Sequence, residues 1–224
     1  MTAIAIFVKT PGYSPIKTRL AASLGRDKAE KWHGLAARAV AAKAVETAIG
    51  PVYFAIAEDQ ALDHPMWAAL PTISQGQGGL GARMHHVHTR LIEDHGRALL
   101  LGADTIQWQP GSLIQADVWL KAQDARLCIG PARDGGFWTF GSNIALPRSA
   151  WTGVNYSRRS TLSEFIQAIS TFGPCKTLAT LTDLDELQDA SAVLSEARAA
   201  GLSSSCSAAI KFIEEQLTPL ADRQ

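Results

Sequence analysis

The chain has 224 residues, of which 46% are hydrophobic and 19% charged, a balance typical of globular proteins and not of disordered, collagenous or coiled-coil chains. Its 21 Lys and Arg residues equal its 21 Asp and Glu residues, so the formal net charge is zero and no overall field attracts nucleic acid or an anionic membrane. This length favours one domain over residues 1–224, with 203–224 as a C-terminal helical extension.

The N-terminus and the cysteines indicate where the protein works. No charged segment precedes a long apolar run, and no uncharged apolar stretch approaches the roughly 20 residues that a membrane span needs. Cys128, Cys175 and Cys206 are odd in number and lack the spacing of a metal site, which suits a reducing compartment. We therefore expect a cytoplasmic protein with no membrane span and no nucleic-acid partner, and leave a homo-oligomer open.

Short β-rich apolar runs alternate along the chain with longer amphipathic stretches, which is the βαβ pattern. The predicted strands are Ala3 to Val8, Val52 to Ala57, Thr72 to Gln75, Ala98 to Leu101, Arg126 to Ile129, Phe137 to Phe140 and Lys176 to Leu181. The predicted helices are Asp27 to Ala48, Leu80 to Asp94, Ser112 to Gln123, Arg159 to Ser170, Leu187 to Ala199 and Ala208 to Leu217. Continuous apolar strands are typical of parallel sheets covered on both faces, so we expect an α/β fold with a mostly parallel sheet.

The loop after the first strand, Lys9 to Arg19, carries three cations and runs into a helix. Backbone amides and cations at such a position suit a phosphate or diphosphate. The loop lacks the residue order of a P-loop, and a solvated turn with snorkelling cations is the alternative.

The glycine-rich segment 75–81 contains Gly76, Gly78 and Gly81 in the spacing of a dinucleotide-binding fingerprint, and Asp104 follows at a compatible distance. Such a fingerprint normally follows the first strand of its unit, whereas a complete βαβ segment precedes this one. We therefore expect close approach of a nucleotide here, with binding of NAD(P) or FAD by an oxidoreductase as a weaker alternative.

Three further loops bring carboxylates to the ends of strands. Asp104 ends an apolar strand, where it could bind a divalent cation or cap a turn. Asp134 lies in an Asp-Gly-Gly sequence that suits either a hairpin turn or a substrate site. Asp183 and Asp185 alternate before a helix, where capping is the default and metal binding the alternative. His85, His86 and His88 share one predicted helix, but their spacing makes a metal site an unfavoured interpretation.

Taken in order, these motifs resemble a bacterial family of nucleotide-diphospho-sugar transferase-like proteins, described as glycosyltransferases of unknown function and distantly related to the molybdenum-cofactor guanylyltransferases. The matching segments are Lys9 and Pro11, Lys17 to Ala21, Leu24-Gly25, Gln75 to Met84, Gly102 to Asp104, Gly130 to Phe137 and Asp183 to Asp185. The sequence departs from the family pattern at Gly79, at Thr105-Ile106 and over residues 155–158.

The resemblance implies a Rossmann-like three-layer α/β/α sandwich of GT-A type and a metal-dependent transferase. Its donor would be a nucleotide-sugar or a nucleoside triphosphate, and its acceptor a small molecule. A non-catalytic nucleotide-binding module on a decayed transferase fold is the alternative, motivated by Gly79, Thr105 and Tyr156.

The resemblance also implies a role for each matching residue. Lys9, Lys17 and Arg19 would hold phosphates, while Gln75, Gly76, Gly78 and Arg83 would line the nucleotide. Asp104 and Asp185 would bind Mg²⁺ or Mn²⁺. On the acceptor side it implies Asp134, Gly135, Gly136 and Ser157, with Asp104, Lys17 and Asp134 as the catalytic residues.

Overall fold

The computed structural model describes residues 1–201 and 204–221. Seven strands form one sheet within these residues: β1 (Thr2–Val8), β2 (Val52–Ile56), β3 (Thr72–Ser74), β4 (Arg97–Gly102), β5 (Leu127–Pro131), β6 (Phe137–Ser142) and β7 (Cys175–Thr177). Their order is β3-β2-β1-β4-β6-β5-β7, and β6 runs antiparallel to both of its neighbours while the other pairs are parallel.

The helices cover both faces of this sheet. Their bounds are α1 (Thr18–Leu24), α2 (Arg26–Glu46), α3 (Leu80–His95), α4 (Pro110–Leu120), α5 (Arg148–Thr152), α6 (Thr161–Ile169), α7 (Ala190–Ala199) and α8 (Ser207–Ala221). One apolar core lies between the sheet and α1, α2, α4, α7 and α8, and a second lies between the sheet and α3, α5 and α6. The predicted α/β/α sandwich with a mostly parallel sheet is therefore confirmed.

Strand β4 shows how the sequence produces these two cores. Leu99 belongs to the core under α2, and the next residue, Leu100, belongs to the core under α3. Successive strand side chains point to opposite faces, so a strand covered on both sides must be apolar throughout. Burial of this kind stabilises a fold by about 25 cal/mol per Å² of apolar surface removed from water.

Several predicted boundaries differ from the structure. The predicted strand Lys176 to Leu181 is only Cys175–Thr177, because the ladder with β5 becomes irregular after Thr177 and resumes only as an isolated parallel bridge between Ala132 and Leu181. The predicted connection 147–157 contains the short helix α5. The predicted helix Asp27 to Ala48 is Arg26–Glu46, and the short helix α1 precedes it, separated from it by Gly25 at φ 86°.

At its C-terminus the chain returns to the first half of the fold. Phe212 of α8 stacks on Trp32 of α2 with ring centroids 6.3 Å apart. Residue 203 and residues 222–224 of the predicted extension lie outside the described residues, so the boundaries of that extension stay a prediction. In the part of the chain that the structure covers, no helix combines the length and the apolar character needed to cross a membrane. The three cysteines are free thiols.

The strand order creates a crevice beside β1. The chain moves outward from β1 through β2 to β3 and then returns to β4 on the other side of β1. In open α/β sheets, ligands bind at such a reversal, beyond the carboxyl ends of the strands. The loops after β1 and β4 meet there.

Candidate active site

The loop after β1 is fixed at its base. The Thr10 backbone N–H donates to Glu58 Oε2 at 2.9 Å, and the Trp67 indole donates to the Thr10 hydroxyl at 2.9 Å. The Lys9 ammonium stays on its own loop, where it donates to the Pro15 carbonyl at 3.3 Å. Buried contacts thus anchor the start of the loop, and its other end, at Lys17, begins α1.

Lys17 lies at the centre of the crevice. Its Nζ atom is 3.0 Å from Asp104 Oδ2 and 3.4 Å from Asp185 Oδ1, and its side chain is only 10% exposed. Burial acts to lower the pKa of Lys17, but the charges of Asp104, Asp183 and Asp185 outweigh burial and raise that pKa above its ordinary value. Lys17 is therefore a fully charged ammonium among carboxylates.

Asp104 follows β4 and has a different partner on each oxygen. Its Oδ2 contacts Lys17, while its Oδ1 is 3.3 Å from Nδ1 of His33, a buried residue of α2. Burial by itself would raise the pKa of Asp104, but Lys17 and His33 outweigh burial and hold that pKa below its usual range. The carboxylate is thus ionised and oriented, and the alternative of a turn cap does not apply.

Asp185 has the same arrangement as Asp104. Its Oδ1 faces Lys17, and its Oδ2 accepts a hydrogen bond from the Arg19 guanidinium at 2.9 Å. The default expectation of helix capping is wrong for both acidic residues of this segment. Glu186 caps the following turn through a reciprocal capping box with Asp189, which leaves Asp183 to accept a hydrogen bond from Thr105 and Asp185 to bind Lys17 and Arg19.

The loop after Asp104 is held by residues that the motifs did not single out. Lys43 of α2 donates to the Ile106 carbonyl at 3.0 Å, and the Thr105 hydroxyl donates to Asp183. Burial is the main cause that raises the pKa of Asp183 to about 6, with the charges of Asp104 and Asp134 adding to it. Thr105, where the sequence departs from the family pattern, therefore donates a hydrogen bond to Asp183.

The glycine-rich loop lies at the end of edge strand β3 and is closed by its own hydrogen bonds. The buried Gln75 amide donates to the Val8 carbonyl at 3.1 Å and to the Ala55 carbonyl at 2.8 Å. Arg83 donates to the carbonyls of Gly78 and Ala57, both at 3.0 Å. Both polar side chains predicted to contact nucleotide thus brace the backbone here.

Different local features of the structure explain why each position of this loop is a glycine. Gly76 and Gly78 have φ of 72° and 101°, which favours glycine, and Gly79 begins α3 as its N-cap. A Cβ on Gly81 would lie 2.4 Å from the Trp151 carbonyl oxygen, so Gly81 permits α3 to pack on α5.

The turn between β5 and β6 carries Asp134. Its Oδ1 accepts a hydrogen bond from the Gly136 N–H at 2.8 Å, so the hairpin interpretation holds. Gly135, at φ 94°, lies so close to the Arg159 backbone that a Cβ there would be 2.3 Å from its carbonyl oxygen. Asp134 and Gly136 also line a cavity, so the turn has both a structural and a site-facing side.

That cavity has a volume of about 230 Å³ and opens beside Asp183. Much of its lining is apolar, from Phe7, Leu80, Met84, Leu100, Phe137 and Tyr156. Thr139 also lines it, and its hydroxyl is buried without a hydrogen-bond partner. Ser157 and Arg158 lie at the exposed rim, with Ser157 at φ 61°. A small molecule could therefore be held next to the charged cluster.

The structure brings Lys17, Arg19, Asp104 and Asp185 together, although Lys17 and Asp185 are 168 residues apart in sequence. It places Asp134, Gly136 and Ser157 around the adjoining cavity, whereas the Lys9 ammonium does not join the cluster. His33, Lys43 and Thr139 were missed, because single polar residues inside a helix or strand carry no motif. His88, on α3, is buried between Phe140 and Trp151.

The donor set of the cluster fits a hard divalent cation. Asp104 Oδ2 and Asp185 Oδ1 converge on one positively charged atom, and Mg²⁺ is commonly bound by one or two carboxylates together with substrate phosphates. Within residues 1–201 and 204–221, no group of three or more His, Cys, Asp or Glu side chains could hold a metal ion. The two carboxylates can therefore supply the protein's part of a site that phosphate oxygens complete.

Comparison with known proteins finds one family match and a fold shared with solved structures. A family model described as "Uncharacterized protein conserved in bacteria (DUF2064)" matches residues 36–158. No curated protein matches the chain. A solved structure from Desulfovibrio desulfuricans G20, provisionally described as a nucleotide-diphospho-sugar transferase, is 21% identical, with a TM-score of 0.79 over 99% of this chain and 97% of its own.

A second solved structure extends the likeness. The 4-diphosphocytidyl-2C-methyl-D-erythritol synthase of Anaerococcus prevotii DSM 20548 is 8% identical, with a TM-score of 0.51 over 88% of this chain and 96% of its own. At such identities the likeness concerns the fold. The expected fold of the nucleotide-diphospho-sugar transferase type is thereby confirmed.

Proposed function

This chain belongs to the bacterial family DUF2064, and we propose that it is a metal-assisted transferase that moves a glycosyl or nucleotidyl group from a nucleotide to a small acceptor. The observation that carries the proposal is the convergence of Lys17, Asp104 and Asp185 at the β1/β4 crevice, beside a cavity. A site for transfer from a nucleotide needs cations for phosphate, carboxylates for a metal and room for an acceptor. All three lie within one continuous region.

The nucleotide phosphates bind over the loop after β1. Lys17 and Arg19 provide two cations there, and the Arg19 side chain is 63% exposed, so its other N–H groups can reach a ligand while one stays on Asp185. Fixed positive charge near a leaving phosphate stabilises the charge that develops in the transition state. These two side chains therefore bind the donor and favour departure of its phosphate.

Asp104 and Asp185 hold the metal. When bound, Mg²⁺ or Mn²⁺ would neutralise charge on the phosphate oxygens and favour departure of the leaving group. His33 orients Asp104, since its ring contacts Asp104 Oδ1 on one side and the Lys9 backbone on the other. His33 is thus a positioning residue that connects the carboxylate to the phosphate-binding loop.

The acceptor occupies the cavity between α3 and the β5–β6 turn. Asp134 lines that cavity, which supports a role for its carboxylate in orienting or deprotonating an acceptor hydroxyl. Gly135, Gly136 and Ser157 border the same volume or its turn, and the buried Thr139 hydroxyl offers a hydrogen bond. Apolar lining excludes water from the reacting groups, which strengthens every electrostatic interaction there.

Two reactions use this arrangement equally well. In glycosyl transfer, an acceptor oxygen attacks the sugar's anomeric carbon and a nucleoside diphosphate leaves. In nucleotidyl transfer, an acceptor phosphate oxygen attacks the α-phosphorus and pyrophosphate leaves. The released product therefore identifies the reaction.

The test begins with thermal unfolding of the purified protein in the presence of nucleoside triphosphates and nucleotide-sugars, each with and without Mg²⁺ or Mn²⁺. A ligand at about 100 times its Kd stabilises by ~2.7 kcal/mol. Donors that shift the midpoint are then incubated with candidate acceptors, and release of pyrophosphate or nucleoside diphosphate is measured. A metal-dependent shift with turnover supports the proposal. A shift without turnover favours the non-catalytic module, and no shift with any nucleotide contradicts both.

A further inference from the structure

Lys17 occupies the position toward which both metal-binding carboxylates point. We propose that the Lys17 ammonium and a divalent cation exclude each other from the Asp104–Asp185 pair, so that the protein binds metal strongly only when phosphate draws Lys17 away. This inference rests on the proposed function, because it concerns how the same site is loaded. It makes Lys17 a switch between a metal-free and a loaded arrangement.

The first support is the division of oxygen atoms. Each carboxylate uses one oxygen for Lys17 and the other for a different partner, His33 for Asp104 and Arg19 for Asp185. The second partners hold the carboxylates in place without Lys17. When the ammonium leaves, Asp104 Oδ2 and Asp185 Oδ1 are therefore still directed to one point and lack a cation.

The second support is the backbone of Lys17. Its φ and ψ are 44° and 52°, a left-handed conformation that residues other than glycine adopt at a cost. Such conformations persist where the surroundings hold them. Here the surroundings are the start of α1, where the Ala21 N–H donates to the Lys17 carbonyl at 2.8 Å, and the carboxylates of Asp104 and Asp185, which hold the ammonium. A second cation on those carboxylates weakens their attraction for the ammonium and so removes one of the contacts that hold this conformation.

The third support is the lack of space for two positive charges. The ammonium is buried at 3.0 and 3.4 Å from the carboxylate oxygens, whereas a metal ion needs the same lone pairs at about 2.0–2.1 Å for Mg²⁺. Metal added alone must displace Lys17 and leave its charge without a partner. Phosphate removes that cost, because it pairs with the displaced Lys17 ammonium and also contributes oxygen ligands to the metal. Each ligand therefore strengthens binding of the other.

The direct test measures the affinity of the full chain for Mn²⁺ in the absence of nucleotide. The electron paramagnetic resonance signal of free Mn²⁺ reports how much of the metal is unbound. We expect Lys17→Gly and Lys17→Met to bind Mn²⁺ at least tenfold more tightly than the natural protein. Glycine suits the left-handed backbone, so Lys17→Gly retains the fold even where Lys17→Met does not. Circular dichroism of both variants checks this.

Lys9→Met is the matched control, since it removes one positive charge from the same loop at a side chain that binds the Pro15 carbonyl and not a carboxylate. We expect it to leave the Mn²⁺ affinity within about twofold. Adding Asp104→Asn to Lys17→Gly should abolish the gain. The proposal is overturned when neither Lys17 variant gains affinity, when Lys9→Met gains as much, or when the gain survives Asp104→Asn.

A second arm tests the coupling to phosphate with inorganic pyrophosphate as the probe. Calorimetry measures the affinity of pyrophosphate for the natural protein with and without Mn²⁺, and this affinity should rise at least tenfold when Mn²⁺ is present. A titration of pyrophosphate without Mg²⁺ and a titration of Mn²⁺ alone are the references. An unchanged affinity contradicts the coupling. Neither arm depends on turnover, so loss of the proposed transfer reaction and loss of the Lys17 switch give different results.

Discussion

The charged cluster at Lys17 and the glycine-rich loop at Gln75 both follow strands, and both match family motifs, but their polar atoms are used differently. In the cluster, side chains bind other side chains: Lys17 contacts Asp104 and Asp185 across the β1/β4 crevice. In the loop, side chains bind backbone: Gln75 and Arg83 donate to carbonyls of neighbouring strands and turns.

The difference teaches which motif residues are free to change partners. A carboxylate that is paired with a lysine can bind another cation instead, because the carboxylate and the lysine both stay charged and can each reach a new partner. A buried amide that satisfies two backbone carbonyls cannot leave without stranding them, and a stranded buried group is costly. We therefore propose that the cluster carries the chemistry and that the loop sets the shape beside it.

Asp104→Asn should produce the largest effect and act on function. Removing the charge that orients Lys17 and the metal should lower kcat/KM for group transfer by about 10²–10³-fold, the usual loss for one transition-state electrostatic partner. Steady-state assays of product release measure it. Asp124→Asn, the same chemical change at an exposed ion pair with Arg126, is the control. Equal activity in both variants would remove Asp104 from the mechanism.

Gly81→Ala should act on stability instead. The new Cβ would lie 2.4 Å from the Trp151 carbonyl oxygen and 2.7 Å from Tyr156 Cε2, so we expect a loss of about 3 kcal/mol from overpacking. Gly111→Ala is the matched control. Both glycines are second residues of their helices, but Gly111 has open space around it, and alanine there should stabilise by up to ~1 kcal/mol. Urea unfolding that destabilised both variants alike would contradict the packing role of Gly81.

Gln75→Leu should cost somewhat less, about 2 kcal/mol, because the carbonyls of Val8 and Ala55 lose a buried donor. Gln77→Leu, at an exposed side chain in the same loop, should change the unfolding free energy by less than ~0.5 kcal/mol. Urea titrations of the two variants give the comparison. Unchanged stability together with weaker nucleotide binding in Gln75→Leu would return Gln75 to the role that the family resemblance implies.

His88 on α3 has the smallest effect at pH 7 and provides a contrast in charge. Burial, with a contribution from His85, lowers the pKa of His88 to about 3 from 6.5. Because the pKa of His88 is lowered by folding, the contribution of the neutral ring to the free energy of unfolding is fully present above pH 6.5. It is lost as the pH falls toward 3, since the unfolded chain then binds a proton that the folded protein does not. The slope is at most about 1.4 kcal/mol per pH unit.

Urea unfolding between pH 7 and pH 4 measures this slope, and His88→Gln should reduce it. The Lys17–Asp104 pair should not lose stability over this pH range, since Asp104 stays ionised beside the Lys17 ammonium. A variant profile identical to that of the natural protein would show that His88 does not titrate as its burial requires.

Much of the fold was readable from local pattern. The strands β1, β2, β4 and β6 were predicted within a few residues, because each is an apolar run between turn residues, and the helices after Gly79 and Ser160 follow from amphipathic spacing. The direction of β6 was not predicted, since an Asp-Gly-Gly turn fits several connections. The end of β7 was missed because the residues after Thr177 continue beside β5 as far as Leu181 without forming a regular ladder.

By itself the sequence determined the alternation of strands and helices, and hence that the loops bearing Lys17, Asp104 and Asp134 lie at the carboxyl edge of a mostly parallel sheet. A period of two or 3.6 residues is a local property and needs no knowledge of the fold. Only the tertiary structure decided that Lys17 binds Asp104 and Asp185, that Glu186 takes over the capping, and that His33 orients Asp104. Lys17 and His33 are 71 to 168 residues away from the carboxylates that they contact, and contacts at that separation depend on how the whole sheet is ordered.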